Sequence, residues 1–195
     1  MSAGWRMEAG RKAFHFLCLL YLGAYHALGR AGVLPVLGAW MAVIVAVESL
    51  RLRNPAVNAY LLSTFRGIHR PAEEKKVSAI IWTSTGCWLT FLLFGSDPRR
   101  VDAGVLCLAF GDAAAALVGK TLGRRIFEFR GKRKSFEGSA ACFAACAVCV
   151  LAVGYGPGGA LAAALAATAL ELAAPPPDDN FWLPLAAAAV LTVVG

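Results

Sequence analysis

Charged residues are scarce in this chain: 16% of 195 residues, against about 25% in an ordinary soluble domain. With 58% hydrophobic residues and a mean hydropathy of +0.62, the chain is too apolar for that class. Histidine numbers only three, and no histidine or second cysteine pair accompanies Cys142, Cys146 and Cys149. Those three share one helix face by their spacing, and they read as small packing residues rather than metal ligands. All six cysteines fall in apolar segments, so no disulfide framework is implied. A long internal repeat is missing, which weakens a transporter built from inverted halves. A cleavage site after the first apolar block is missing too, so no segment reads as a signal peptide.

What is present is a succession of apolar blocks. About seven occur, at roughly 13–30, 33–50, 77–95, 101–119, 136–154, 158–174 and 181–195, and six is the alternative count. Their lengths lead to the expectation of a single domain over 1–195, an all-α polytopic membrane bundle of about seven (six possible) transmembrane helices with a basic loop. Charge supports one orientation. Segments 1–12, 51–76, 120–135 and 175–180 hold 16 of the 19 Lys and Arg, leaving Arg30, Arg99 and Arg100 for the other side. By the positive-inside rule this predicts a cell-membrane protein with its N-terminus and site cytoplasmic. It also counts against nucleic acid, because the cations sit at a membrane face and not along a soluble basic stripe.

Between the blocks, residues 56–68 place Val57, Leu61, Thr64, Phe65 and Ile68 near one face, which fits an interfacial amphipathic helix or a surface connector. Residues 69–76 read as a solvated turn. Gly29 to Pro35 reads as a short outer turn. Alternation around Gly131 suggests a hairpin within 124–134.

Asp112 is the first candidate for chemistry. A carboxylate inside a membrane helix costs about 2.5–3.5 kcal/mol, so it needs a cation, a metal or water. Ala115, Ala116, Gly119 and Gly123 continue on its side and would let a ligand or another backbone approach. Seven cations follow within fifteen residues: Lys120, Arg124, Arg125, Arg130, Lys132, Arg133 and Lys134. Lys134-Ser135 opens a helix whose first turns carry Gly138 and Ser139. Backbone N–H groups, the helix dipole and adjacent lysines make a phosphate site there. Glu137 could hold Mg²⁺ against phosphate oxygens, or pair with Lys134 or Arg133. Arg11, Lys12, His15, Glu48, Arg51, Glu171 and Asp178-Asp179-Asn180 map to the same side under one topology.

FGDAAAALVGKTLGRR followed by GKRKSFEGS resembles the CTP-dependent lipid-alcohol kinases: dolichol kinase, phytol kinase and the fungal-type diacylglycerol kinase. The resemblance is specific in 108–143 and looser over most of the chain, from Arg11-Lys12 through Glu48-x-x-Arg51 to Glu171 and Asp178-Asp179-Asn180. It implies transfer of the γ-phosphate of CTP to a membrane lipid alcohol, a polyprenol, phytol or diacylglycerol, among membrane lipids. Catalysis would fall to Asp112, Lys134 and Glu137. Nucleotide binding would fall to Gly111, Gly119, Lys120, Lys132, Arg133, Lys134, Ser135, Gly138 and Ser139. Substrate or phosphate binding would fall to Arg11, Lys12, His15, Glu48 and Arg51. Mg²⁺ would sit on Asp112 or Glu137, with Asp179, and Asp112 is either a metal ligand or the base for the hydroxyl proton. Ser135 and Ser139 stand where some members have threonine. Two alternatives remain at this stage: a phosphatidate cytidylyltransferase, whose C-terminal signature finds no counterpart in 140–195, and a proton-coupled transporter using Asp112, Glu48 and Glu171.

Overall fold

The computed structural model describes residues 16–64 and 74–194. Helices α1 (Cys18–Arg53), α2 (Pro55–Thr64), α3 (Ala79–Phe94), α4 (Pro98–Leu106) and α5 (Asp112–Thr121) come first, with a π-helical turn, Cys107–Gly111, joining the last two. A two-stranded hairpin, β1 (Ile126–Phe129) and β2 (Lys132–Ser135), leads into α6 (Phe136–Ala152), α7 (Pro157–Ala173) and α8 (Asp179–Val194).

The backbone of α1 is not continuous. Gly29 has φ 66° and ψ 176°, outside the helical region and reached easily only without a Cβ. Trp40 Nε1 donates to Tyr21 Oη at 2.9 Å. Nineteen residues of straight helix would span about 28 Å, so 18–28 and 30–53 double back on one another. The turn expected at Gly29 is therefore real, but helix resumes at once and runs through Pro35. Tyr25 Oη donating to Gly95 O and Arg30 donating to Leu92 O tie this turn to the end of α3. His26 and Asp102, 2.6 Å apart, tie it to α4.

Small residues let the helices approach. A Cβ on Gly86 would lie 2.8 Å from Phe181 O, and one on Gly104 would lie 2.6 Å from Pro184 O, so α3 and α4 both press on the backbone of α8. A Cβ on Gly111 would meet Cys146 Sγ at 2.5 Å, which seats the π turn on α6. The thiols of Cys107 and Cys146 each donate to the other's carbonyl at 3.8 Å. Cys142 and Cys146 are buried in this contact and act as packing residues. The core is otherwise built from Val33, Phe91, Val105, Leu108, Val150, Leu183, Leu191 and a row of alanines on α7.

The expectation of a polytopic membrane bundle is corrected here. Among the described residues, two helical runs, Cys18–Arg53 and Pro98–Thr121, are long and apolar enough to cross a membrane. The first of these folds back at Gly29. The other apolar helices, α3, α6, α7 and α8, have 16 or 17 residues. That is about 24–26 Å of helix, short of a hydrocarbon core of about 30 Å. Apolar blocks do become helices close to their expected bounds, but seven membrane-length spans do not form. The integral-membrane location with a cytoplasmic site falls with them.

Candidate functional site

The termini of four helices meet at one end: the close of α5, the start of α6, the close of α7 and the start of α8. The basic segment between α5 and α6 is ordered as the hairpin. Its strands pair antiparallel, Phe127 opposite Lys134 and Phe129 opposite Lys132. Arg130 (φ 51°) and Gly131 (φ 73°) make the two-residue turn, both in the left-handed region that such hairpin turns require. Phe127 packs on Phe136, ring centroids 4.9 Å apart, which fixes the hairpin to the first residue of α6.

Ser135 is the N-cap of α6: its Oγ accepts from Gly138 N at 3.0 Å, the usual use of serine at that position. Ser139 Oγ donates to Ser135 O at 3.2 Å. Phe136 N donates to Arg125 O. Glu137 accepts Arg125 N on both oxygens, at 3.2 and 3.3 Å. Its own N–H does most to hold its carboxyl below the ordinary carboxylate range; desolvation opposes this, and the N–H groups of Arg125 and Arg124 with the Arg125 charge outweigh that opposition. The N–H groups expected to cradle phosphate at this helix start are thus engaged within the chain. Glu137 braces the hairpin against α6.

Gly119, Gly123 and Gly138 close around Ser135. A Cβ on Gly138 would lie 2.7 Å from Ala115 O and 3.1 Å from Gly119 Cα. A Cβ on Gly119 would lie 3.1 Å from Ser135 Oγ, and one on Gly123 would lie 3.0 Å from the same atom. The smooth face read from the sequence therefore accommodates the backbone of α6. Gly111 likewise faces Cys146.

Of the basic segment's cations, Lys134 turns into the fold. Its Nζ donates to Glu171 O at 2.7 Å and to Glu171 Oε1, joining the end of β2 to the last turns of α7. The Lys134 side chain is 14% exposed and that of Glu171 6%. Burial raises the Glu171 carboxyl above its ordinary range; Lys134 opposes that shift, and the charges of Asp112 and Asp179 add to it. Beside this pair, Lys132 Nζ stands 3.9 Å from Asp179 Oδ2. Asp179 and Asn180 are buried at the start of α8. Glu171 Oε2 and Asn180 Oδ1 are buried with no hydrogen-bond partner among the described residues. Lys120, Arg124, Arg125, Arg130, Lys132 and Arg133 are exposed around this end.

Glu48 and Arg51 do not present themselves to a ligand. Arg51 Nε and an Nη donate to the two Glu48 oxygens at 3.0 and 2.7 Å, and Arg51 also donates to Asn58 Oδ1 and Lys76 O. Ser78 N donates to Glu48 Oε2 at 2.9 Å. The two side chains lock α1 to α2 and to the start of α3. Arg11, Lys12 and His15 lie outside the described residues, as do Phe65, Ile68, Arg70 and Glu73.

Asp112 is half-buried directly after the π turn; such turns interrupt helices frequently at functional positions. The sequence placed Glu171 among the charges converging on this end and in the transporter alternative. Its pairing with Lys134 was missed, and a lone carboxylate in an alanine-rich helix was the available signal.

Among the described residues, no three His, Cys, Asp or Glu side chains group closely enough to hold a metal ion. The residues expected to hold Mg²⁺, Asp112 or Glu137 with Asp179, belong to no such group among the described residues. With the missing spans, this overturns the expected function: a membrane-embedded, metal-bridged, CTP-dependent lipid kinase at a cytoplasmic face. The cytidylyltransferase and transporter alternatives assumed the same membrane architecture and are corrected with it. No family model, curated protein or solved structure matches this chain.

Proposed function

We propose that the chain is a phosphotransferase with an alcohol acceptor and CTP as phosphate donor. The reaction class and the donor are carried over from the resemblance of residues 108–143; the membrane embedding and the lipid acceptor are not. One observation carries the reading. Strand β2 delivers Lys134 into the fold beside a buried carboxylate, at an end rimmed by Lys132, Arg133 and Arg130.

Phosphoryl transfer needs charge neutralisation and alignment more than covalent help. An exposed basic hairpin would gather the triphosphate by its field. Lys134, with two N–H bonds directed at Glu171 and one more available on its ammonium, would set a point charge against the terminal phosphoryl oxygens. CTP would arrive with Mg²⁺ on its own phosphates, since Mg²⁺ keeps mainly water and phosphate ligands.

The test is incubation of purified protein with γ-labelled CTP, Mg²⁺ and a panel of water-soluble alcohols that includes glycerol. The expected result is label on one of the alcohols with release of CDP. Release of pyrophosphate, or no alcohol-dependent transfer across the panel, would refute the reading.

A further inference from the structure

Glu171 is the least explained group at this end. The residue is 5% exposed. One oxygen receives Lys134, while Oε2 has no donor among the described residues. A buried carboxylate oxygen left unpaired is costly, because it has given up water without gaining a donor. A glutamine at this position would supply a donor of its own and remove the charge. Asn180 Oδ1 is buried and unpartnered in the same way on α8. Every other element packed here contributes a group whose charge or polarity bears on Glu171: Lys134 from β2, Asp112 from α5, Cys142 from α6 and Asp179 from α8. Of these, only Lys134 is a cation. Oε2 needs a donor, and a neutral one satisfies it without displacing Lys134 from the other oxygen. A hydroxyl fits: it donates one hydrogen bond to Oε2 and carries no charge into the fold.

We propose that Glu171 receives the hydroxyl of the acceptor alcohol, its Oε2 taking the O–H proton while its Oε1 aims Lys134 at the phosphate. This rests on the phosphotransferase reading and assigns the base within it. The alcohol oxygen forms the bond to the terminal phosphorus. The bond from that phosphorus to the β–γ bridging oxygen breaks, and CDP leaves with the electron pair. The hydroxyl proton ends on Glu171 Oε2 and passes to water after product leaves. Burial favours the role, because it raises the basicity of this carboxylate.

The experiment compares wild type with Glu171→Gln and Glu171→Asp. Three quantities are read: alcohol-dependent transfer from γ-labelled CTP across pH, the Kd of a fluorescent CTP analogue without alcohol, and the melting temperature. Glu171→Gln should lose about 10²-fold or more in turnover and should lose the acid limb of the pH–rate profile. Its nucleotide Kd should stay within about threefold, because the glutamine oxygen still anchors Lys134. Glu171→Asp should keep measurable turnover with a displaced acid limb. A Glu171→Gln protein with the wild-type pH profile would overturn the assignment. So would one whose nucleotide affinity falls in step with its turnover, which would make Glu171 a mere anchor for Lys134. Wild type that transfers phosphate to no alcohol removes the phosphotransferase reading and this assignment together. A transferring wild type with an indifferent Glu171 removes this assignment alone.

Discussion

Replacing Glu48 by alanine should destabilise the chain far more than an ordinary helix substitution. Arg51 is 1% exposed, and its guanidinium faces the Glu48 carboxylate through two hydrogen bonds. Truncating Glu48 leaves that cation buried without its carboxylate, with Asn58 Oδ1 and Lys76 O among its remaining acceptors, and it strips Ser78 N of its partner. Breaking a buried pair from one side costs about 3–5 kcal/mol. At about 2–4 °C per kcal/mol for a chain of this size, the melting temperature should fall by roughly 6–20 °C. Thermal unfolding followed by circular dichroism reads this directly. The double variant Glu48→Leu/Arg51→Leu removes both charges and should recover about half of the loss or more, since the pair's attraction is largely spent on its own desolvation. A loss below about 1 kcal/mol in Glu48→Ala, or a double variant showing the plain sum of its single effects, would refute the reasoning. Either result would mean that the pair is solvated and available, as a substrate-binding role would require.

Gly138→Ala should cost about 1–3 kcal/mol, because its Cβ would lie 2.7 Å from Ala115 O; urea denaturation checks this, with Gly131→Asn, at φ 73° in open space, as a control expected to change stability by about 1 kcal/mol or less. The Glu137 carboxyl is held below its ordinary value of 4.5, so its stabilising contribution is present above that value and is lost as pH falls through the lower folded one. Glu137→Gln should accordingly show a shallower loss of stability on the acid side than wild type in acid titrations followed by circular dichroism, and identical acid limbs would count against the brace between hairpin and helix.

The helices were legible because apolar blocks and their interruptions are local features. Gly29, Asn54-Pro55 and the proline run at 175–177 each stop or turn the chain through backbone geometry that the residue itself imposes. The hairpin was legible at Gly131 for the same reason. Span count was not legible in this way. Block boundaries drawn by hydropathy absorb polar-flanked end residues such as Val77, Ser78 and Gly95, and those few residues separate a 16-residue helix from one of membrane length. The π turn at 107–111 was also out of reach, since nothing in CLAFG departs from an ordinary helical run; the close approach of Cys146 to Gly111 within it is a contact between helices.

Site residues divide along the same line. Lys134, Ser135 and Gly138 announced themselves as a group because four consecutive local signals, a basic strand, a cap, a glycine and a helix start, coincide there. Their partners did not, because a partner is a matter of which helix end arrives alongside. Glu48 and Arg51 are three residues apart and could have been paired from the sequence, yet only burial decides that the pair is a lock and not a ligand site. Lys134 and Glu171 are thirty-seven residues apart, and no spacing rule joins them. The same contact that removes Lys134 from the list of free cations creates the feature the sequence lacked, a carboxylate with one oxygen occupied and one buried without a donor. A site read from motif residues alone would therefore centre on the basic loop. Built from contacts, it centres on the junction of β2, α7 and α8, where the cation is already aimed and the unfilled position is an acceptor for a hydroxyl.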